Sequence, residues 1–200
     1  MARALHLQTS VGRQARGFTL VEMMIVVVII GVLASLAIVG YRRLIVSSHV
    51  SEATNMVNNI RAAQEAYHSE TLQYAGISQS VVNGPFYPPN GSGTFTSKIV
   101  TAWGAPCTGC VPGMDWSMLP LHVDGPVMFG YATTAGAANT APGDASVSVN
   151  GQLLTFPSPS PTDWFIVSAT CDLDADGKAP DTHVYTTSWT NQTFVDSEGE

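Results

Sequence analysis

Gly17-Phe18-Thr19-Leu20-Val21-Glu22-Met23-Met24-Ile25-Val26-Val27-Val28-Ile29-Ile30-Gly31 is the stretch that decides how the rest of the chain is read. From Met23 to Tyr41 no side chain is charged, and the one acid near the run, Glu22, stands at its start. The 24 residues Phe18–Tyr41 make a helix about 36 Å long at 1.5 Å each. That length crosses about 30 Å of hydrocarbon with some tilt. Upstream lie Arg3, Arg13 and Arg16 with no acid among them. A basic leader before an apolar run is a targeting signal, and it is set aside from fold reasoning.

A secretory signal peptide would have an apolar core of about 7–15 residues and a small-residue cleavage site. Ala34-Ser35-Leu36-Ala37 could supply that site, but the run is too long and Glu22 sits at its start. An ordinary signal anchor accounts for the length and leaves the acid unexplained. Arg16-Gly17-Phe18-Thr19-Leu20-Val21-Glu22, placed after a basic leader and before the apolar run, resembles the processing site of type IV prepilins and type II secretion pseudopilins.

That resemblance covers roughly residues 1–60. It implies a cut after Gly17 by a prepilin peptidase and N-methylation of the new terminal residue, Phe18. The implied organisation is a cleaved leader (1–17), a transmembrane and polymerisation helix (18–41), an amphipathic continuation (42–75) and a β-rich head (76–200). The implied partners are further copies or other pilins in a helical filament, the peptidase, the membrane and an inner-membrane assembly platform. The expected location is the inner membrane first, then an extracellular pilus or a periplasmic pseudopilus. Charge alone does not orient the span, because Arg42 and Arg43 follow it on the far side. The resemblance places the N-terminus in the cytoplasm.

An acid in a bilayer is costly unless it is paired or near the interface, which makes Glu22 a functional residue by default. After the cut, Phe18 carries an α-amino cation. The Glu22 carboxylate can meet the Phe18 amine of an axially offset neighbour, neutralising both and setting register as a buried polar group does in a coiled coil. The chain departs from similar pilins in one respect. They often carry a helix-breaking proline near the end of the apolar segment, whereas Ala37-Ile38-Val39-Gly40-Tyr41 has none, and none occurs between Phe18 and Gly84. A major pilin, a minor pilin and a pseudopilin all stay open.

Beyond Tyr41 the helical pattern continues. Val50, Ala53, Met56, Val57, Ile60, Ala63 and Tyr67 recur at three- and four-residue steps and predict one apolar face. The helix is expected from about Phe18 to Tyr74, with Gly76 as its C-cap. Strand patterns follow at 95–102, 127–133, 146–149, 153–156, 163–170 and 183–189, with Asn150-Gly151 a type I′ hairpin signal. Residues 78–95, rich in Gly and Pro, read as an exposed loop. The expected class is α+β, a long N-terminal helix packed on an antiparallel sheet.

The net charge of −7 and the absence of any Lys/Arg-rich run argue against a nucleic-acid binder. Cys107, Cys110 and Cys171 suit one disulfide in an exported head and leave one thiol over, with the pairing open. A thiol-redox role for Cys107-Thr108-Gly109-Cys110 defines an alternative from another class, a membrane-anchored extracytoplasmic redox protein or enzyme. Asp172-Leu173-Asp174-Ala175-Asp176-Gly177 matches the opening of an EF-hand-type loop, so Asp172, Asp174 and Asp176 are candidate calcium ligands, with Asp181 a further oxygen. The twelfth position holds His183 where a bidentate glutamate is expected, and no cofactor is required by the reading. No G-x-S-x-G, P-loop or dinucleotide-binding glycine pattern occurs, so an enzyme is not expected.

Overall fold

The computed structural model describes residues 17–91, 95–96, 98–178 and 181–197. The leader, Gly17 apart, lies outside the described residues. The element order is helix α1 (Leu20–Thr71), a 3₁₀ turn (Trp116–Met118), then strands β1 (Gly130–Gly136), β2 (Ser146–Val149), β3 (Gln152–Thr155), β4 (Trp164–Cys171), β5 (Thr182–Thr187) and β6 (Thr190–Asp196). The class is α+β. The chain divides into two compact units, one ending at Tyr41 and one beginning at Arg42.

In the first unit every large apolar side chain from Phe18 to Tyr41 is exposed. In the second, α1 buries Val50, Ala53, Met56, Val57, Ile60 and Ala63, the face that the three- and four-residue spacing predicts. Tyr67 is half-buried at its margin. A fully buried aliphatic side chain is worth about 1.5–3 kcal/mol, so this face fastens the helix more firmly than propensity could. The helix stops three residues short of the expected Tyr74. Leu72 takes φ +59°, and its N–H donates back to the His68 carbonyl at 2.8 Å, closing the last turn as a left-handed C-terminal residue does. Gly76 lies beyond the end, where a Cβ would come within 3.2 Å of the Ala135 backbone.

The main sheet has the order β1-β4-β5-β6, antiparallel throughout. All eight residues of β4 are buried, which marks a central strand covered on both faces. Its alternation sorts them. Phe165, Val167, Ala169 and Cys171 join the core under α1, with Tyr131 and Val184. Trp164 and Ile166 join a second core with Val81, Val147, Phe156 and Tyr185. The β2–β3 hairpin supplies part of that second layer. Its turn has Asn150 at φ +49° and Gly151 at φ +73°, as a type I′ turn requires.

Four expectations need correction. The strand expected at 127–133 is displaced to Gly130–Gly136, because Val127 is engaged in an isolated bridge with Thr101. The segment 95–102 forms only isolated bridges, Thr96 to Asp172 and Thr101 to Val127. It cannot extend the sheet at β1, whose outer edge is taken by Ile77, Ser78 and Tyr87, bonded to Thr133 and Tyr131. For the same reason the described part of 78–95 is not an exposed loop: Ser78, Val81, Tyr87 and Phe95 are buried. The expected strand 183–189 is the first arm of a hairpin, and its partner β6 was not anticipated.

Candidate functional site

Thr19-Leu20-Val21-Glu22 forms a reciprocal cap at the start of α1. The Glu22 N–H donates to Thr19 Oγ1 at 3.2 Å. Glu22 Oε2 accepts from the Thr19 N–H at 2.7 Å and the Thr19 hydroxyl at 2.8 Å. This is the capping box, two otherwise orphaned donors satisfied by the pair of side chains. The T-x-x-E spacing is visible in the sequence, where only the glutamate was singled out. Phe18 is 79% exposed. At Gly17 an added Cβ would meet nothing within 4 Å among the described residues.

The large apolar surface between Phe18 and Tyr41 is far more contiguous than water-soluble monomers expose. It suits a hydrocarbon environment or the apolar faces of similar helices. Gly31 and Gly40 likewise have open space at their Cβ positions.

In the second unit the acidic loop folds on itself. Asp172, 1% exposed, accepts from the Gly177 N–H at 2.9 Å and from the Ala175 N–H. Asp174 accepts from the Asp176 N–H at 3.0 Å, and Asp176 from the Lys178 N–H at 2.8 Å. Burial works to raise the Asp172 carboxyl, but hydrogen bonding from the Gly177 amide, with the Asp174 side chain and from the Ala175 and Asp176 amides holds it below the usual carboxylate range. One ligand atom from each of Asp172, Asp174 and Asp176 lies within 4.8 Å of the others, the convergence that a hard divalent cation requires. Asp181 stands outside that group, its carboxyl pushed up by burial. His183 lies within β5, its ring stacked on Tyr185 at 5.8 Å and its buried Nδ1 without a hydrogen-bond partner among the described residues.

Cys107 and Cys110 are bonded to each other, with 5.7 Å between their Cα atoms. Cys171 is outside the bond and free. It faces the core from β4, where burial pushes its thiol up to about 12. An inert buried thiol and a local disulfide do not assemble a three-cysteine site. Of the histidines, His68 meets Asp163 at 3.4 Å and His122 meets Asp124 at 2.9 Å; neither pair adjoins the disulfide or the acidic loop in any described hydrogen bond.

Comparison with known proteins agrees with this geometry. The family model described as the prokaryotic N-terminal methylation motif matches residues 12–38. The chain is 34% identical over 113 residues to the fimbrial protein EcpC of Eikenella corrodens, covering 53% of this chain and 72% of that protein. It is 32% identical over 123 residues to the type II secretion system core protein G of Pseudomonas aeruginosa, covering 56% and 87%. The type IV major fimbrial protein FimA of Dichelobacter nodosus is 28% identical over 167 residues, covering 82% and 92%. No solved structure matches. With the apolar helix, its capped acidic start and a relative of this similarity spanning most of its own length, the chain belongs to the type IV pilin family, which includes the pseudopilins of type II secretion.

Proposed function

We propose that this chain is the structural subunit of a type IV pilus-like filament. A prepilin peptidase cuts between Gly17 and Phe18 and the new Phe18 amine is methylated. The subunit waits in the inner membrane through residues 18–41, and an assembly platform then moves it into a helical filament of like subunits or other pilins. The observation that carries this reading is the continuously exposed apolar stretch of α1 with a single acid at its first turn. Glu22 carries two roles in this scheme: it caps its own helix and receives the Phe18 amine of a neighbour.

Intact-mass and N-terminal analysis of envelope-derived protein tests the proposal. It requires a mature chain that begins with methylated Phe18 and lacks residues 1–17. A start near Ile38, or an uncut leader, would overturn it.

A pseudopilin of type II secretion is the second reading, favoured by the similarity to protein G over most of that protein's length. Deleting the gene separates the two, since one loses surface filaments and the other retains exoproteins in the periplasm. In either setting the Asp172–Asp176 loop would take Ca²⁺ through Asp172, Asp174 and Asp176, the cation bracing the turn that leads from β4 towards β5.

A further inference from the structure

Arg42 and Arg43 come directly after the apolar run, and both are exposed. Neither enters an ion pair or hydrogen bond among the described residues. The next acid along α1, Glu52, is engaged by the Met128 N–H at 3.3 Å. Among the described residues the two guanidinium groups therefore have no partner.

Their position is set by length. With Phe18 at one edge of the hydrocarbon, 24 residues carry the helix about 36 Å. That passes the core of about 30 Å by about 6 Å, which reaches the outer headgroup layer of roughly 5–7 Å. Tyr41, 64% exposed, occupies the depth at which aromatic side chains gather. Leu44 and Ile45, just beyond, are also exposed, and arginine stems lie along such apolar surface while their heads reach for the polar layer.

Cations on the outward side run against the usual bias toward cytoplasmic Lys and Arg, so they do not serve orientation. The cut after Gly17 strengthens the point. It removes Arg3, Arg13 and Arg16, leaving Arg42 and Arg43 as the only Lys or Arg side chains flanking the span. A guanidinium presents a planar fork that matches phosphate oxygens in two parallel hydrogen bonds.

We propose that Arg42 and Arg43 bind anionic phospholipid headgroups on the outer face of the inner membrane and hold the stored subunit at fixed depth. Extraction into a filament then requires both to exchange phosphate for other partners. The proposal rests on the membrane-inserted state.

The test uses the processed full chain reconstituted in phosphatidylcholine vesicles with spin-labelled phosphatidylglycerol or spin-labelled phosphatidylcholine as probe. Flotation is scored first, then the motionally restricted lipid fraction by electron paramagnetic resonance. The wild type should prefer phosphatidylglycerol by about fivefold or more, given the usual worth of a basic side chain at an anionic surface. High salt should weaken the preference, Arg42→Lys/Arg43→Lys should keep it, and Arg42→Gln/Arg43→Gln should lose it. A floating wild type without preference, or a glutamine variant that keeps it, overturns the headgroup role alone. A chain that fails to float defeats the inserted state itself. Unchanged lipid preference with lost filaments in the glutamine variant would assign the arginines to carboxylates of a neighbouring subunit instead.

Discussion

Glu22 Oε2 accepts both the backbone N–H and the hydroxyl of Thr19, at 2.7 and 2.8 Å. The same carboxylate that we propose meets a neighbour's amine is therefore already oriented by its own helix start. Cap and charge can be separated by substitution. Thr19→Ala should cost about 0.5–2 kcal/mol of local helix stability and reduce assembly modestly. Glu22→Gln keeps an oxygen for Thr19 but lacks the charge, so it should insert in the membrane normally and form few or no filaments. Counting sheared filaments against membrane-bound subunit checks both, and abundant filaments from Glu22→Gln would remove the charge pairing.

Gln64 is fully buried on α1. Its amide donates to the Ala75 carbonyl at 2.8 Å and to Thr133 Oγ1 at 3.0 Å, and its oxygen accepts the Ala75 N–H at 2.9 Å. Helix, connector and β1 meet at this one side chain. Gln64→Leu leaves those groups buried and unpaired and should cost roughly 2–4 kcal/mol, read as a fall in thermal midpoint. Leaving the midpoint unmoved would mean the latch is dispensable.

Acid should loosen the head through His183. Burial holds its ring below the ordinary histidine value against the pull of Asp181 and Asp196. The unfolded chain thus takes up the proton first, near pH 6.5. Stability is complete above that value and declines as pH falls toward the lower folded value. Asp181, raised by burial, works the opposite way nearer pH 4. Thermal midpoints between about pH 7.5 and 5.5 should slope downward for the wild type and flatten in His183→Gln. Equal slopes would place the acid sensitivity elsewhere.

The cysteines should behave unequally. Cys171, buried with its thiol pushed up to about 12, should resist alkylation until the chain is unfolded. A bond closing only three residues of separation constrains the unfolded chain little, so Cys107→Ser/Cys110→Ser should cost about 2 kcal/mol or less. Rapid labelling of Cys171 in the folded protein would contradict its burial.

Calcium should raise the thermal midpoint of the full chain, and Asp174→Asn/Asp176→Asn should abolish the rise. At a hundredfold excess over Kd the gain would be about 2.7 kcal/mol. Asp172 is best left intact in this experiment, because it also holds the Gly177 and Ala175 amides. No shift with calcium would leave the loop a self-satisfied turn.

The N-terminal half was readable because its physics is local. Apolar spacing marks the buried face from Val50 to Ala63, and a charge-free run marks the span. The head was readable only where a strand carries its own pattern, as β4 and the Asn150-Gly151 turn do. β6, with Thr190-Asn191-Gln192-Thr193 in its first half, lies at the sheet edge and buries little, so no alternation announced it. The segment 95–102 has strand composition because Phe95 fills the core, while Ile99 and Val100 are 44% and 59% exposed. Its fate depended on β1 having its edge already occupied, which no window of sequence records. Leu72 ended the helix against its own propensity, a tertiary outcome. The pairing of Cys107 with Cys110 depended likewise on where the chain placed Cys171.

β4 is enclosed on both faces, so what the head needs in order to fold is concentrated far from its exterior. Asp124, Gly125 and Pro126 lie outside both cores and are exposed, and a Cβ at Gly125 meets nothing within 4 Å. A short epitope spliced there would ride on every subunit without disturbing the fold. Filaments could then be seen, captured or decorated along their whole length.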